Sequence, residues 1–154
     1  MAVEFLADAA AIERRLTELN ADAPVAPVGP DVPLLANLSA LENLTLVGAF
    51  HRPLADGELE AEAVDRLRAL GLAHCGHRRR PDMSAREAFG VQMARAAMRP
   101  GATVVIATPF ALVPELESDA AIRQAVAALG LSGVRILDYP SNRGRYRDPD
   151  EGEP

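Results

Sequence analysis

The chain has 154 residues and a formal net charge of −6, with 49% hydrophobic and 25% charged residues, and all 16 of its basic residues are arginine. This length and balance describe one ordinary globular unit with its own core, and the lack of lysine excludes a Schiff base, a lysine general base, or a lysine reaching nucleotide phosphates. The acidic balance argues against a nucleic-acid binder, which needs a basic face, and a single cysteine, Cys75, excludes an internal disulfide and fits a reducing compartment.

AVEFL at 2–6 reads as a short buried strand. Asp8 then precedes AAAIERRLTEL, in which Ile12, Leu16 and Leu19 recur at helical spacing, so a helix starts there. In ADAPVAPVGP, Val25 and Val28 predict a short strand, which three prolines confine to an edge or leave irregular. The stretch 32–47 is strongly apolar, with Asn37 or Ser39 placed to cap a helix carrying Leu41 and Leu44. Residues 55–70 form an amphipathic helix with Leu59, Ala63, Leu67 and Leu70 inward, ended by Gly71.

AHCGHRRRPD at 73–82 reads as a polar surface loop. Ser84 with Glu87 three residues later is a capping box opening the next helix, which Pro100-Gly101 ends. TVVIA at 103–107 has the near-continuous apolar pattern of a strand in the middle of a parallel sheet. A helix from about Glu117 to Ala128 and a last strand at 134–137 follow, and the charged, Pro- and Gly-rich end reads as disordered. The first residues lack the pattern of a secretory signal, and no run approaches ~18 apolar residues, so a cytoplasmic protein without direct membrane insertion is expected.

The elements together predict an α/β three-layer domain. Residues 1–33 are a residual β-α-β core, 34–99 a helical block and the helix opened by Ser84, 100–140 a core strand-helix-strand, and 141–154 a disordered tail.

Residues 34–109 also carry landmarks in the order found in ABC-transporter ATP-binding domains. LLANLSALENLTL resembles the segment after the Q-loop, and AEAVDRLRALGL resembles a helix of the helical subdomain. RRPDMSAREAFGVQMARAAMRP is similar to the signature stretch and the helix behind it, matching at Val91, Ala94, Arg95 and Ala96. TVVIATP stands where the Walker B strand would be, with Pro109 kept, and VRILDYP where the last core strand runs into the switch histidine. The resemblance implies a truncated P-loop-NTPase-like parallel sheet with a helical subdomain inserted.

Against that pattern the chemistry-bearing positions differ. Where the family has a Gly-rich loop ending in Lys and Ser/Thr, this chain passes from strand to helix at Asp8, whose carboxylate caps the helix and repels phosphate. The Q-loop position falls near Pro30, the Walker B carboxylates on Ala107 and Thr108, and the switch histidine near Asp138 or Tyr139. Of the signature, Ser84 remains, but Ala85, Arg86 and Glu87 replace two glycines and a glutamine. G+C-rich coding explains an arginine-for-lysine exchange, but not these losses as well.

The resemblance therefore implies a catalytically inactive subunit, with no catalytic residue, no cofactor and no resident metal. Its expected partner is a membrane permease, an active ABC ATPase subunit or a second copy of itself, because a shortened sheet leaves an edge that invites pairing. The partner-binding candidates are Leu34, Leu35, Leu38 and Leu41, which exceed what one short helix need bury, and the basic run Arg78, Arg79 and Arg80. The run LSALEN is similar to ATPases of lipoprotein-releasing and lipid-trafficking systems. Two alternatives stand beside this reading. One is a nucleotide half-site completed through Ser84 by an active partner; the other is an unrelated enzyme using a metal on His74, Cys75 and His77, with His51 elsewhere.

Overall fold

A computed structural model describes residues 1–147. Four parallel strands, β1 (Ala2–Phe5), β2 (Val25–Val28), β3 (Thr103–Ala107) and β4 (Arg135–Asp138), form one sheet in the order β1-β4-β3-β2. The chain crosses the sheet from β1 to β2 and then steps back through β3 to β4. Right-handed crossovers in opposite directions put their helices on opposite faces.

Helix α1 (Ala9–Asp22) covers one face, where Ile12 packs with Val25, Val105 and Leu137. Helices α4 (Ala85–Ala97), α5 (Pro109–Leu112) and α6 (Ala120–Ala128) cover the other, where Phe89, Met93 and Ile122 meet Val28, Val104, Ile106 and Ile136. The predicted central strand is β3, held between β2 and β4, and its successive valines and isoleucine supply both faces.

A second core lies beyond α4, where α2 (Ala40–His51) and α3 (Asp56–Ala69) bring Leu44, Leu59, Ala63 and Leu67 against Val91, Ala94 and Met98. Helix α4 is therefore sandwiched, which explains why apolar residues run around it rather than along one stripe. The approach of α2 to α3 depends on Gly48: a Cβ there would lie 2.8 Å from Leu59 Cδ2. Ser39, rather than Asn37, caps α2, and Gly71 takes φ +70 just past the end of α3.

Four expectations need correction. AVEFL is an edge strand with half-buried side chains, because β4 inserts between β1 and β3. The 73–82 loop is not merely surface: it holds two single turns of 3₁₀ helix (Ala73–Cys75 and Arg80–Asp82), and Cys75 is fully buried. The last α-helix starts at Ala120, not near 117: Asp119 is its N-cap, and the Asp119 N–H is tied to Arg145 O at 2.9 Å. Residues 141–145 of the expected tail belong to a 3₁₀ turn, Pro140–Arg145, packed on the domain, and the expectation for 148–154 lies outside the described residues.

The free edges are blunted rather than open. Pro27 sits on the outer strand β2, and on β1 Glu4 pairs with Arg15 at 3.0 Å and Arg135 at 3.2 Å.

Candidate functional site

Open α/β sheets bind ligands outside the carboxyl ends of their strands. Here those ends are Phe5, Val28, Ala107 and Asp138. After Phe5 only Leu6, Ala7 and Asp8 precede α1, and Asp8 Oδ1 accepts the Ala11 N–H at 2.8 Å. A helix N-terminus is an anion site when its donors are free; this one is filled by its own carboxylate.

Beside it, the Pro140–Arg145 turn folds back over β1. Arg143 stacks 4.2 Å above the Phe5 ring, and Tyr146 meets Phe5 and Phe110 edge-on at 5.7 and 5.4 Å. The fully buried Asp138 carboxylate anchors this turn, accepting from Tyr139 N at 2.7 Å, Asn142 Nδ2 at 3.0 Å and the Tyr146 hydroxyl at 2.6 Å. Burial and that carboxylate push the Tyr146 phenol well above its usual range, so the hydroxyl stays a donor.

Ala107 ends β3 with a methyl group, and Thr108 follows at φ 46, the left-handed region that costs a non-glycine residue about 1–3 kcal/mol. Its N–H bonds Leu137 O at 2.9 Å, which holds the turn into α5. At the end of β2, Gly29 lies so close to β3 that a Cβ would sit 3.2 Å from Ala107 O. Gly29 N donates to the buried Gln92 Oε1 at 3.1 Å, while Pro30 is exposed.

Of the positions matching the signature helix, Val91, Ala94 and Ala96 are core residues, and Arg95 donates to Pro33 O at 3.0 Å and to Val32 O. Ser84 is the N-cap of α4: its Oγ accepts from Glu87 N at 3.0 Å, and Glu87 Oε1 accepts from Ser84 N at 2.9 Å. Arg86 is exposed beside it.

Glu87 Oε2 meets His74 Nε2 at 2.9 Å, the Cys75 thiol at 3.3 Å and Arg78 at 3.7 Å. The Ser84 N–H, then His74 and Cys75, hold the Glu87 carboxyl down at about 2, and burial followed by the Glu87 charge pushes the Cys75 thiol up to about 11. Glu87 had no place in the metal set suggested by the sequence. His77 and His51 lie elsewhere, in the lining of two other depressions.

The expected partner-binding leucines divide. Leu34 and Leu41 are buried in the second core, Leu41 at the floor of a groove; Leu38 is half-buried and Leu35 is 47% exposed. Two residues outside that set are more prominent, Leu46 at 51% and Phe50 at 85% exposure. They sit one helical turn apart on α2, a spacing readable in the sequence had the buried face been known.

Leu46 lines a groove of about 600 Å³ with Leu38, Leu41 and Ala49, and Glu42, Asp56, Glu60, Arg79 and His77 share that lining. The three arginines do not form one basic patch. Arg78 faces Glu87, Arg79 faces the groove, and Arg80 donates to Met83 O at 2.9 Å.

No helix among the described residues is long and apolar enough to cross a membrane. No protein-family model matches the chain, and no curated protein matches it. Solved structures do match. A bacterial ABC transporter cassette determined as a dimer is 17% identical, aligned over 84% of this chain and 58% of its own, at TM-score 0.62. An ABC transporter in an inward-facing conformation is 12% identical, over 90% of this chain and 62% of its own, at TM-score 0.64. A further ATP-binding cassette of an ABC transporter is 18% identical, over 79% of this chain and 53% of its own, at TM-score 0.55. The chain thus spans less than two thirds of the length of these structures, and at such identities the likeness is one of fold. It has the P-loop-NTPase-like α/β fold of ABC transporter ATP-binding cassettes, in shortened form.

Proposed function

We propose that this chain is a cassette-fold subunit that does not hydrolyse ATP and works by binding a partner. The observation that carries this reading is the three-residue β1–α1 connection, in which the Asp8 carboxylate takes the helix N-terminus that a phosphate would need. The methyl of Ala107 and the hydroxyl of Thr108 support it, because neither binds Mg²⁺ as a carboxylate does or acts as a general base near neutral pH. The Pro140–Arg145 turn adds a second obstruction at the strand ends.

The partner surface is the groove along α2, extended by Leu46 and Phe50. Its occupant is a short amphipathic helix of a membrane permease, with an apolar face for Leu38, Leu46 and Ala49 and basic residues for Glu42, Asp56 and Glu60. Solved cassettes of this fold belong to ABC transporters, which makes a permease the first candidate. The LSALEN run favours a permease of a lipoprotein-releasing or lipid-trafficking system. Binding would hold the chain peripherally on the cytoplasmic side of that membrane. The blunted strand edges weigh against self-association through the sheet.

A photo-crosslinker placed at Phe50 in native membranes tests the docking surface. Crosslinks mapped to an amphipathic, basic segment of an integral membrane protein are expected. Crosslinks confined to a second copy of this chain, or to soluble proteins, would overturn the assignment.

A further inference from the structure

We propose that His74, Cys75 and Glu87 form a three-ligand Zn²⁺ site whose fourth position opens into the cleft between α3, α4 and α6. The ligand atoms of these residues all lie within 4.8 Å of one another. Two of the separations are already short, 2.9 Å from His74 Nε2 and 3.3 Å from Cys75 Sγ, both to Glu87 Oε2. Tetrahedral Zn²⁺ with bonds of about 2.0–2.3 Å places ligand atoms about 3.3–3.8 Å apart, so shifts on the order of 1 Å complete the site.

The surroundings hold these ligands in place. Glu87 is tied through Oε1 to the Ser84 N–H at 2.9 Å, and its own N–H is tied to Ser84 Oγ at 3.0 Å, which leaves Oε2 turned toward the loop. Cys75 is fixed at both ends of its peptide, its N–H on Leu72 O and its carbonyl on Arg78 N, each at 2.9 Å. The same loop is stitched to α2 through Ala40 N to Arg78 O at 2.9 Å and Leu41 N to Gly76 O at 3.0 Å. A capping box alone needs neither a buried thiol nor an imidazole on its carboxylate.

The donor chemistry selects the ion. One thiolate, one imidazole and one carboxylate suit Zn²⁺, whereas Mg²⁺ and Ca²⁺ require oxygen ligands. Binding replaces the Cys75 S–H bond with S–Zn and releases that proton to solvent, His74 coordinates through a ring-nitrogen lone pair, and the two anionic ligands balance the ion's charge. Arg78, 3.7 Å from Oε2 and 45% exposed in its side chain, is the arginine on the carboxylate and must swing into solvent.

Three protein ligands with an open position are the arrangement of sites that bind an exchangeable ligand, whereas structural zinc is closed by four. The opening here is a cleft of about 580 Å³ lined by His74, Ser84, Glu87, Arg86 and Gln124. This inference goes beyond the docking reading and stands or falls independently of it.

The test is titration of metal-free, untagged protein with Co²⁺ alone, followed by displacement with Zn²⁺. One equivalent should produce thiolate-to-cobalt charge-transfer absorption that Zn²⁺ abolishes. Cys75→Ser should lose the band, and Glu87→Gln, which keeps the cap of α4 and so stays folded, should weaken Co²⁺ at least tenfold. His77→Ala and His51→Ala should bind as the parent does. Absence of the band in parent protein, its persistence in Cys75→Ser, or unchanged affinity in Glu87→Gln would overturn the site.

Discussion

The Tyr146 hydroxyl donates to Asp138 Oδ2 at 2.6 Å, joining the end of the described chain to a carboxylate that is fully buried at the end of β4. Removing only the hydroxyl leaves both edge-on ring contacts in place and one buried carboxylate oxygen short of a donor. Tyr146→Phe should therefore cost about 1–3 kcal/mol in denaturant unfolding and speed proteolysis at Arg143 and Arg145. A variant as stable as the parent would mean that the turn is held by its rings alone.

The cap at Asp8 makes a separate prediction about stability. Asp8→Ala removes the acceptor for Ala11 N–H and should destabilise the chain by about 1 kcal/mol, while Asp8→Asn should recover most of the loss. Equal stability of all three would place the first turn of α1 outside the cooperative unit. The comparison is made by chemical denaturation with a common m-value.

Acid sensitivity follows from the capping box of α2. The Ser39 N–H, and then the Ser39 hydroxyl, hold the Glu42 carboxyl below its ordinary 4.5. A carboxyl depressed in the folded state contributes stability above its unfolded value, and that contribution is lost as pH falls from about 4.5 through the lowered value. Glu42→Gln keeps an acceptor but carries no charge. Melting curves should show the parent ahead at about pH 7 and the gap closing by about pH 3; a gap that widened on acidification would reverse the sign.

Leu46 and Phe50 contribute little to folding by this account. At 51% and 85% exposure, the pair Leu46→Ser and Phe50→Ser should leave stability within about 0.5 kcal/mol of the parent and improve solubility. A loss of several kcal/mol would show them to be packing residues.

Much of this fold is readable from local chemistry. Ser39 with Glu42 and Ser84 with Glu87 announce two helix starts at fixed spacing, and TVVIA announces the central strand, because these signals act over a few residues. What is not readable depends on partners far away in the chain. The position of β1 at the edge is decided by β4, some 130 residues later in register, Ala2 with Arg135. RGRY has the composition of a linker, yet Arg143, Arg145 and Tyr146 find Phe5 and Phe110 to pack on. The run 34–46 is leucine-rich without a clean period, so it could not say that Leu34 and Leu41 turn inward while Leu35 and Leu46 turn out. The cluster on Glu87 was hidden similarly, since Cys75 sits among polar neighbours and its carboxylate partner lies on another element.

The proposal that this cassette fold holds no nucleotide by itself is tested by calorimetric titration of the isolated chain with Mg·ATP. No saturable heat is expected up to millimolar nucleotide, with the parent and Asp8→Ala alike. Saturable binding at micromolar concentration by the parent chain would contradict it.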